Sequence, residues 1–176
     1  MKYHDEEWGV PLHNDNKLFE FLVLGGFQAG LTWWLILQRR EILREAFDSF
    51  KAERIANYSE KDIERIMNTS GMIRNRQKIS AAIVNAQQFI KLGKEFGSFD
   101  SFIWSFVGDK KINNTYFALS DLPSESPESI IMSRELKSRG FKFVGPIICY
   151  AFMQATGLVN DHLVSCYRHN QVKDMR

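Results

Sequence analysis

The sequence predicts an all-α fold. Apolar residues recur at helical spacing along most of its 176 residues, the breaks fall at capping residues, glycines and prolines, and no stretch alternates convincingly. Asp15 can cap a helix through Leu18, Phe19, Leu22 and Val23, which Gly25-Gly26 would end. A second helix is expected over about 28–38 and a third over about 41–49. Ser59 followed by Asp62 marks a capped start for a short helix through Ile63 and Ile66. A long helix spans about 76–95, with Ile79, Ile83, Ala86 and Ile90 at helical spacing. Residues 98–106 form a short aromatic helix. After the loop DLPSESPES, Ser129 caps a helix to Ser138. Pro146 suits the first turn of the next helix, where its missing N–H costs nothing, and that helix ends near Gly157. The only candidate strands are a short pair within 110–117.

Composition excludes several classes. A content of 44% hydrophobic and 25% charged residues is that of an ordinary globular protein. The length fits one domain, with room for two lobes around a shared core. No apolar run reaches membrane-spanning length and no signal peptide opens the chain, so a cytoplasmic monomer with no membrane partner is expected. Two cysteines, Cys149 and Cys166, make no disulfide scaffold. The net charge of +2 is too small to announce a nucleic-acid partner. The basic residues nevertheless cluster: Arg39, Arg40 and Arg44; Arg74, Arg76 and Lys78; Arg134, Lys137, Arg139 and Lys142. They form either a DNA footprint or solvated helix faces.

The segment Gly140-Phe-Lys-Phe-Val-Gly145 joins two helices. Glycines permit positive φ and close approach of another backbone. The N–H groups opening the helix at Pro146 suit a phosphate, and Lys142 adds charge at the tip. Such a hairpin grips DNA without reading bases; the alternative is an ordinary helix–helix turn. Downstream, His162 and Cys166 are four apart and would share one face of a helix, a weak zinc-ligand spacing.

The stretches YHDEEWGVP, QAGLTW, GMIRNRQKISAAIVNA, FIWSFV and RGFKFVGPIICYAFMQATGLVNDH resemble the 3-methyladenine DNA glycosylase I family, within the helix-hairpin-helix DNA glycosylase superfamily. The resemblance runs from Tyr3 to about Cys166. It implies a single domain of two helical lobes, with a lesion pocket between them and the helix-hairpin-helix at about 134–156. It also implies double-stranded alkylated DNA as partner and monofunctional hydrolysis of the N-glycosidic bond of 3-methyladenine, leaving an abasic site. No lysine stands where Schiff-base lyase chemistry would ask for one. A base must be flipped out of the duplex to be reached. The family sandwiches it between aromatic residues matching Tyr3 and Trp33, and Gln28, Gly30 and Leu31 fall in the segment that fills the gap it leaves, Leu31 as wedge.

Five further positions follow from the resemblance. Asn160 stands where many superfamily members carry a catalytic Asp; an Asn can orient water but cannot act as a carboxylate base. Asp161 is its neighbour, with local capping as its ordinary role. Gly25 stands where the family places a Glu that binds the polar edge of the damaged base, and it supplies no acceptor. Glu20 is more than a helical turn away. The implied zinc site uses His4, His162 and Cys166. Its fourth ligand, a Cys, would precede His4 by about thirteen residues, so the N-terminus is expected to be either naturally short or truncated. Zinc there would be structural, with water or a neighbouring group in the fourth place; otherwise Cys166 is a reduced cysteine beside two ordinary histidines. His13 and His169 are expected at the surface. A weakly active DNA-binding family member is the second reading, because of Gly25. A metal-dependent hydrolase built on His4, His162 and Cys166 is the third.

Overall fold

The structure is a computed structural model that describes residues 2–175. Among these residues the fold is almost wholly helical. The helices are α1 (Lys2–Glu6), α2 (Asp15–Gln28), α3 (Trp33–Ala46), α4 (Ala52–Ile55), α5 (Glu60–Met67), α6 (Arg76–Phe96), α7 (Phe99–Trp104), α8 (Pro127–Ser138), α9 (Pro146–Ala155) and α10 (Tyr167–Lys173). Two-residue strands β1 (Ile112–Asn113) and β2 (Val159–Asn160) pair in parallel, with Ile112 opposite Val159 and Asn113 opposite Asn160. The expected local pair within 110–117 is therefore a long-range one. Its second strand follows α9, where the chain returns past β1.

The long helix α6 is central and packs against α2, α4, α5 and α7. Asn75 caps it by accepting the Lys78 N–H at 3.1 Å, and Gly97, at φ +85°, ends it. The buried rings of Phe19, Phe27, Phe47, Phe50 and Phe99 fill one contiguous apolar core. Among the described residues no helix is long and apolar enough to cross a membrane.

Several boundaries differ from expectation. Helix α2 is capped by Asn14, whose side chain accepts the Lys17 N–H at 3.0 Å. Asp15 instead reaches the start of α7, accepting N–H groups of Phe99 and Asp100 at 3.0 and 2.8 Å. Gly25 and Gly26 do not end α2. They are buried in its last turns, where a Cβ on Gly25 would meet Ile148 and one on Gly26 would meet Phe143, each at 3.4 Å. Packing against α9 and its approach outweighs the roughly 1 kcal/mol that glycine costs inside a helix. The helices expected over 28–38 and 41–49 are one, α3, which starts only at Trp33 under a Thr32 cap. Its polar middle is amphipathic: Gln38 and Glu41 face solvent while Arg40 is buried. Ser126, not Ser129, caps α8, with Pro127 in the first turn and Ser129 returning the bond to Ser126. The Ser59–Asp62 capping box is present.

The two parts of the chain that frame the functional site meet at a glycine. Gly157 has φ +73°, and a Cβ there would fall 2.3 Å from the carbonyl carbon of Val10. Positive φ and this overlap together favour glycine. Gly157→Ala is expected to lower unfolding free energy by about 2 kcal/mol or more. Gly93 lies inside α6 with open space at its Cβ, so Gly93→Ala should raise it by roughly 0.5–1 kcal/mol. Urea unfolding of both variants checks the pair; equal midpoints would refute the backbone argument.

Candidate functional site

Residues 9–12 lie along the end of α9: the Gly9 N–H donates to the Gln154 carbonyl and the Leu12 N–H to the Thr156 carbonyl, both at 3.0 Å. This contact carries α1 across the face of α9 and brings Tyr3 and Trp8 opposite α2. A cavity of about 170 Å³ results. Tyr3, Trp8, Phe21 and Trp33 supply rings; Gly25 and Gln28 come from α2; Ala151, Phe152, Gln154 and Ala155 come from α9. Trp8, Phe21, Phe152 and Gln154 were not singled out from sequence. Trp8 lay inside the quoted YHDEEWGVP, but spacing alone gave no sign that it turns inward.

The Tyr3 and Trp33 rings are 5.6 Å apart between centroids and inclined by 55°. A flat base between two rings needs roughly 7 Å, twice the carbon–carbon contact distance. The rings must therefore part and turn parallel before anything stacks between them. The Trp33 indole N–H is buried and meets no acceptor at hydrogen-bonding geometry. Burial, reinforced by the nearby Glu7 carboxylate, raises the Tyr3 phenol well above its ordinary pKa, so its hydroxyl stays a donor.

Among the described residues no carboxylate lines the cavity. Glu20, buried in α2, accepts from Arg40 at 2.7 Å and Arg44 at 2.9 Å. Arg40 also pairs with Glu7 and lies 5.0 Å from the Phe21 ring centre. Glu20 is thus committed to α3, and Gly25 leaves an uncharged wall.

His4, His162 and Cys166 come together, their ligand atoms lying within 4.8 Å of one another. They do not share a helix: residues 161–166 form an irregular turn after β2. Cys166 Sγ is 3.6 Å from His4 Nε2 and 3.7 Å from His162 Nδ1. The outer ring nitrogens face acceptors, Nδ1 of His4 to Asp5 at 2.9 Å and Nε2 of His162 to the Trp8 carbonyl at 3.0 Å. With a proton on each outer nitrogen, both inner lone pairs point toward the thiol. Burial holds His162 down at about 4, so its ring is neutral at pH 7. Two neutral imidazoles and a cysteine are a donor set that fits zinc.

Asn160 is fully buried in β2 and does not line the cavity. Its amide donates to the Asn113 side chain at 3.2 Å and to the His169 carbonyl at 3.1 Å. Asp161 is equally buried and accepts from Asn114, Tyr150 and Gln154 at 2.7, 2.7 and 2.8 Å. His13 is exposed and stacks on Trp104. His169, expected at the surface, is buried because its ring reaches the Asn114 carbonyl beside β1.

Two partly exposed turns follow α2 and α8, the first of them beside the cavity at Gln28. The first, residues 28–31, contains Gly30 at φ +75° and ends on the exposed Leu31; the Leu31 N–H donates to the Gln28 carbonyl at 2.6 Å. The second joins α8 to α9 through Gly140 at φ +90° and Phe143 at φ +54°. Phe141 and Val144 are buried and Lys142 is exposed. Gly145 precedes Pro146 at the start of α9 in extended conformation, with open space at its Cβ. The basic clusters divide. Arg40, Arg44, Arg76 and Arg139 are paired with carboxylates, and Lys78 is buried. Arg74, Arg134, Lys137 and Lys142 are exposed and form no ion pair among the described residues.

The family model described as methyladenine glycosylase matches residues 1–169. The DNA-3-methyladenine glycosylase 1 of Escherichia coli strain K12 is 46% identical over 166 residues, covering 94% of this chain and 89% of that protein. The DNA-3-methyladenine glycosylase of Haemophilus influenzae is also 46% identical, covering 94% and 90%. The solved structure of a Staphylococcus aureus 3-methyladenine DNA glycosylase I, described with its recognition of 3-methyladenine, superposes with a TM-score of 0.92 at 37% identity, covering 94% and 88%. On the match along nearly its whole length, the chain belongs to the methyladenine glycosylase family.

Proposed function

We propose that this protein is a DNA-3-methyladenine glycosylase of base excision repair, with excision slowed by Gly25. The observation that carries the reading is the aromatic cavity between α1, α2, α3 and α9, bounded at Gln28 by an exposed glycine turn. The relatives' names and the family match support the substrate.

N3-methylation makes the adenine nucleotide cationic, so its base leaves neutral and needs little acid catalysis. The protein has to extrude the nucleotide, hold the base and admit water. Parted Tyr3 and Trp33 stack on the base and attract its charge. The Trp33 N–H and Tyr3 hydroxyl offer donors. Leu31 enters the stack where the base has left, while Gln28 and Gly30 shape its turn. The helix-hairpin-helix formed by α8, α9 and their turn holds the duplex by its phosphates, through the Lys142 side chain and the N–H groups from Gly145 into the first turn of α9. A carboxylate at position 25 would offset the positive charge and accept from the amino edge. Its absence favours a second reading, a lesion-binding protein that scarcely cleaves.

The carboxylate argument has a magnitude. A charge-assisted bond contributes about 1.5–3 kcal/mol, so its loss slows excision roughly ten- to several-hundred-fold if the bond persists in the transition state. The Cβ of a new side chain fits, meeting only Ile148 at 3.4 Å. We expect slow release of free 3-methyladenine from alkylated DNA, raised by Gly25→Glu. No release by either form supports the binding reading. Family-level rates with Gly25 in place would show that the edge contact is unnecessary.

Lys142→Ala should weaken binding to all duplexes alike and reduce the salt dependence by about one phosphate. A loss that depends on base sequence, or no loss, argues against a phosphate contact.

Zinc held by His4, His162 and Cys166 would be structural, tying α1 to the turn after β2. We expect near-stoichiometric zinc after reconstitution under reducing conditions, with ligand distances of roughly 2.0–2.3 Å, and loss of the metal in His162→Ala. Metal-free protein after reconstitution would remove zinc from the account.

A further inference from the structure

Helix α2 ends beside the cavity, and a helix end leaves its last carbonyls without partners. Three of the last four, those of Gly26, Phe27 and Gln28, find partners here. The Gly26 carbonyl accepts the Ala29 N–H at 3.4 Å, and the Gln28 carbonyl accepts the Leu31 N–H at 2.6 Å. The Phe27 and Ala29 carbonyls, on either side of Gln28, both accept from the ammonium of Lys78, at 2.7 and 2.6 Å. Lys78 is 7% exposed and forms no salt bridge among the described residues. Its charge is compensated by these carbonyls and by the negative end of the α2 dipole. A buried lysine without a carboxylate is costly unless its hydrogen bonds are made.

Seven residues along the same helix, Asn85 performs the matching task at the second turn. It is 3% exposed; its carbonyl oxygen accepts the Lys142 N–H at 2.7 Å and its amide donates to the Lys142 carbonyl at 3.0 Å. Seven residues are close to two helical turns, so Lys78 and Asn85 lie on one face of α6, about 10 Å apart along its axis. One rigid helix therefore grips the backbone of both exposed turns.

We propose that α6 sets the spacing between the turn that enters the DNA stack and the turn that holds the phosphates, with Lys78 as the positioning residue for the first and Asn85 for the second. This rests on the reading of those turns given above. Neither side chain needs to touch DNA. Loss of Lys78 should free residues 28–31 and impair gap filling, while the phosphate grip persists. Loss of Asn85 should loosen the hairpin and weaken every duplex.

The test uses the full chain and two duplexes of one sequence, intact or carrying a tetrahydrofuran abasic analogue. Binding is measured over a series of salt concentrations. For Lys78→Met we expect the preference for the abasic duplex to fall at least about fivefold, with affinity for intact duplex and the salt slope unchanged. For Asn85→Ala we expect both affinities to fall together with the preference kept. A salt slope reduced by about 0.9 in Lys78→Met would make Lys78 a phosphate ligand and overturn the proposal. So would a parallel loss on both duplexes, or an unchanged preference, in a folded variant. If Lys78→Met does not fold, Lys78→Gln replaces it; it keeps one donor and should lose the preference to a smaller degree, and an unchanged ratio there overturns the proposal equally. A wild-type protein with no preference for the abasic duplex would instead refute the reading of residues 28–31 as a wedge.

Discussion

The cavity and the metal-ligand cluster both depend on one close backbone contact, that of Gly157 with Val10. It lets residues 9–12 bond along the end of α9, and α1 then has one place to lie. Tyr3 and Trp8 become cavity walls, His4 comes within reach of Cys166, and the Trp8 carbonyl fixes the outer nitrogen of His162. A side chain at position 157 would push these groups apart together. The aromatic and histidine chemistry is therefore supported by a residue that has no functional group.

Charge is arranged to leave the cavity neutral and part of the surface basic. Glu20 and Glu7 lie near the cavity walls but are turned onto Arg40. Arg139 is held by Glu95 and Glu135 and covers Phe96. What stays uncommitted is exposed, Lys142 and Arg74 among it. A modest net charge of +2 is compatible with a locally basic face because most acidic partners are spent inside or on other helices. The Cys149 thiol is pushed up to about 12 by burial, which leaves Cys166 as the cysteine fit for ligation.

Much of this was legible in the sequence. Helical spacing gave α6 almost to the residue, Pro146 and Gly157 bracketed α9, and Ser59 with Asp62 gave the start of α5. Local rules failed where long-range packing decided. Gly25-Gly26 read as a stop, yet α9 and its approach lie so close that the small residues suit the helix. The polar run at the middle of α3 read as a break because the carboxylates that hold Arg40 lie far off in sequence, Glu20 in α2 and Glu7 in the turn after α1. The His162–Cys166 pair was found by the wrong geometry, since an irregular turn rather than a helix brings the two together. The bonds of Lys78 and Asn85 were invisible for a related reason: carbonyl and amide partners carry no residue identity.

The docking of residues 9–12 on the end of α9 has a consequence for synthesis. Contacts this distant in sequence carry a high entropic cost and form late. Domains emerge from the ribosome beginning with the N-terminal end, and segments fold as their partners appear. Helices α2, α4, α5 and α7 can pack against α6 early, but Tyr3 has no fixed position until α9 and the chain beyond it are made. A nascent or prematurely ended chain would hold most of the core and expose the aromatic wall that the finished protein closes. Such a fragment would be a client for chaperones rather than a partial enzyme.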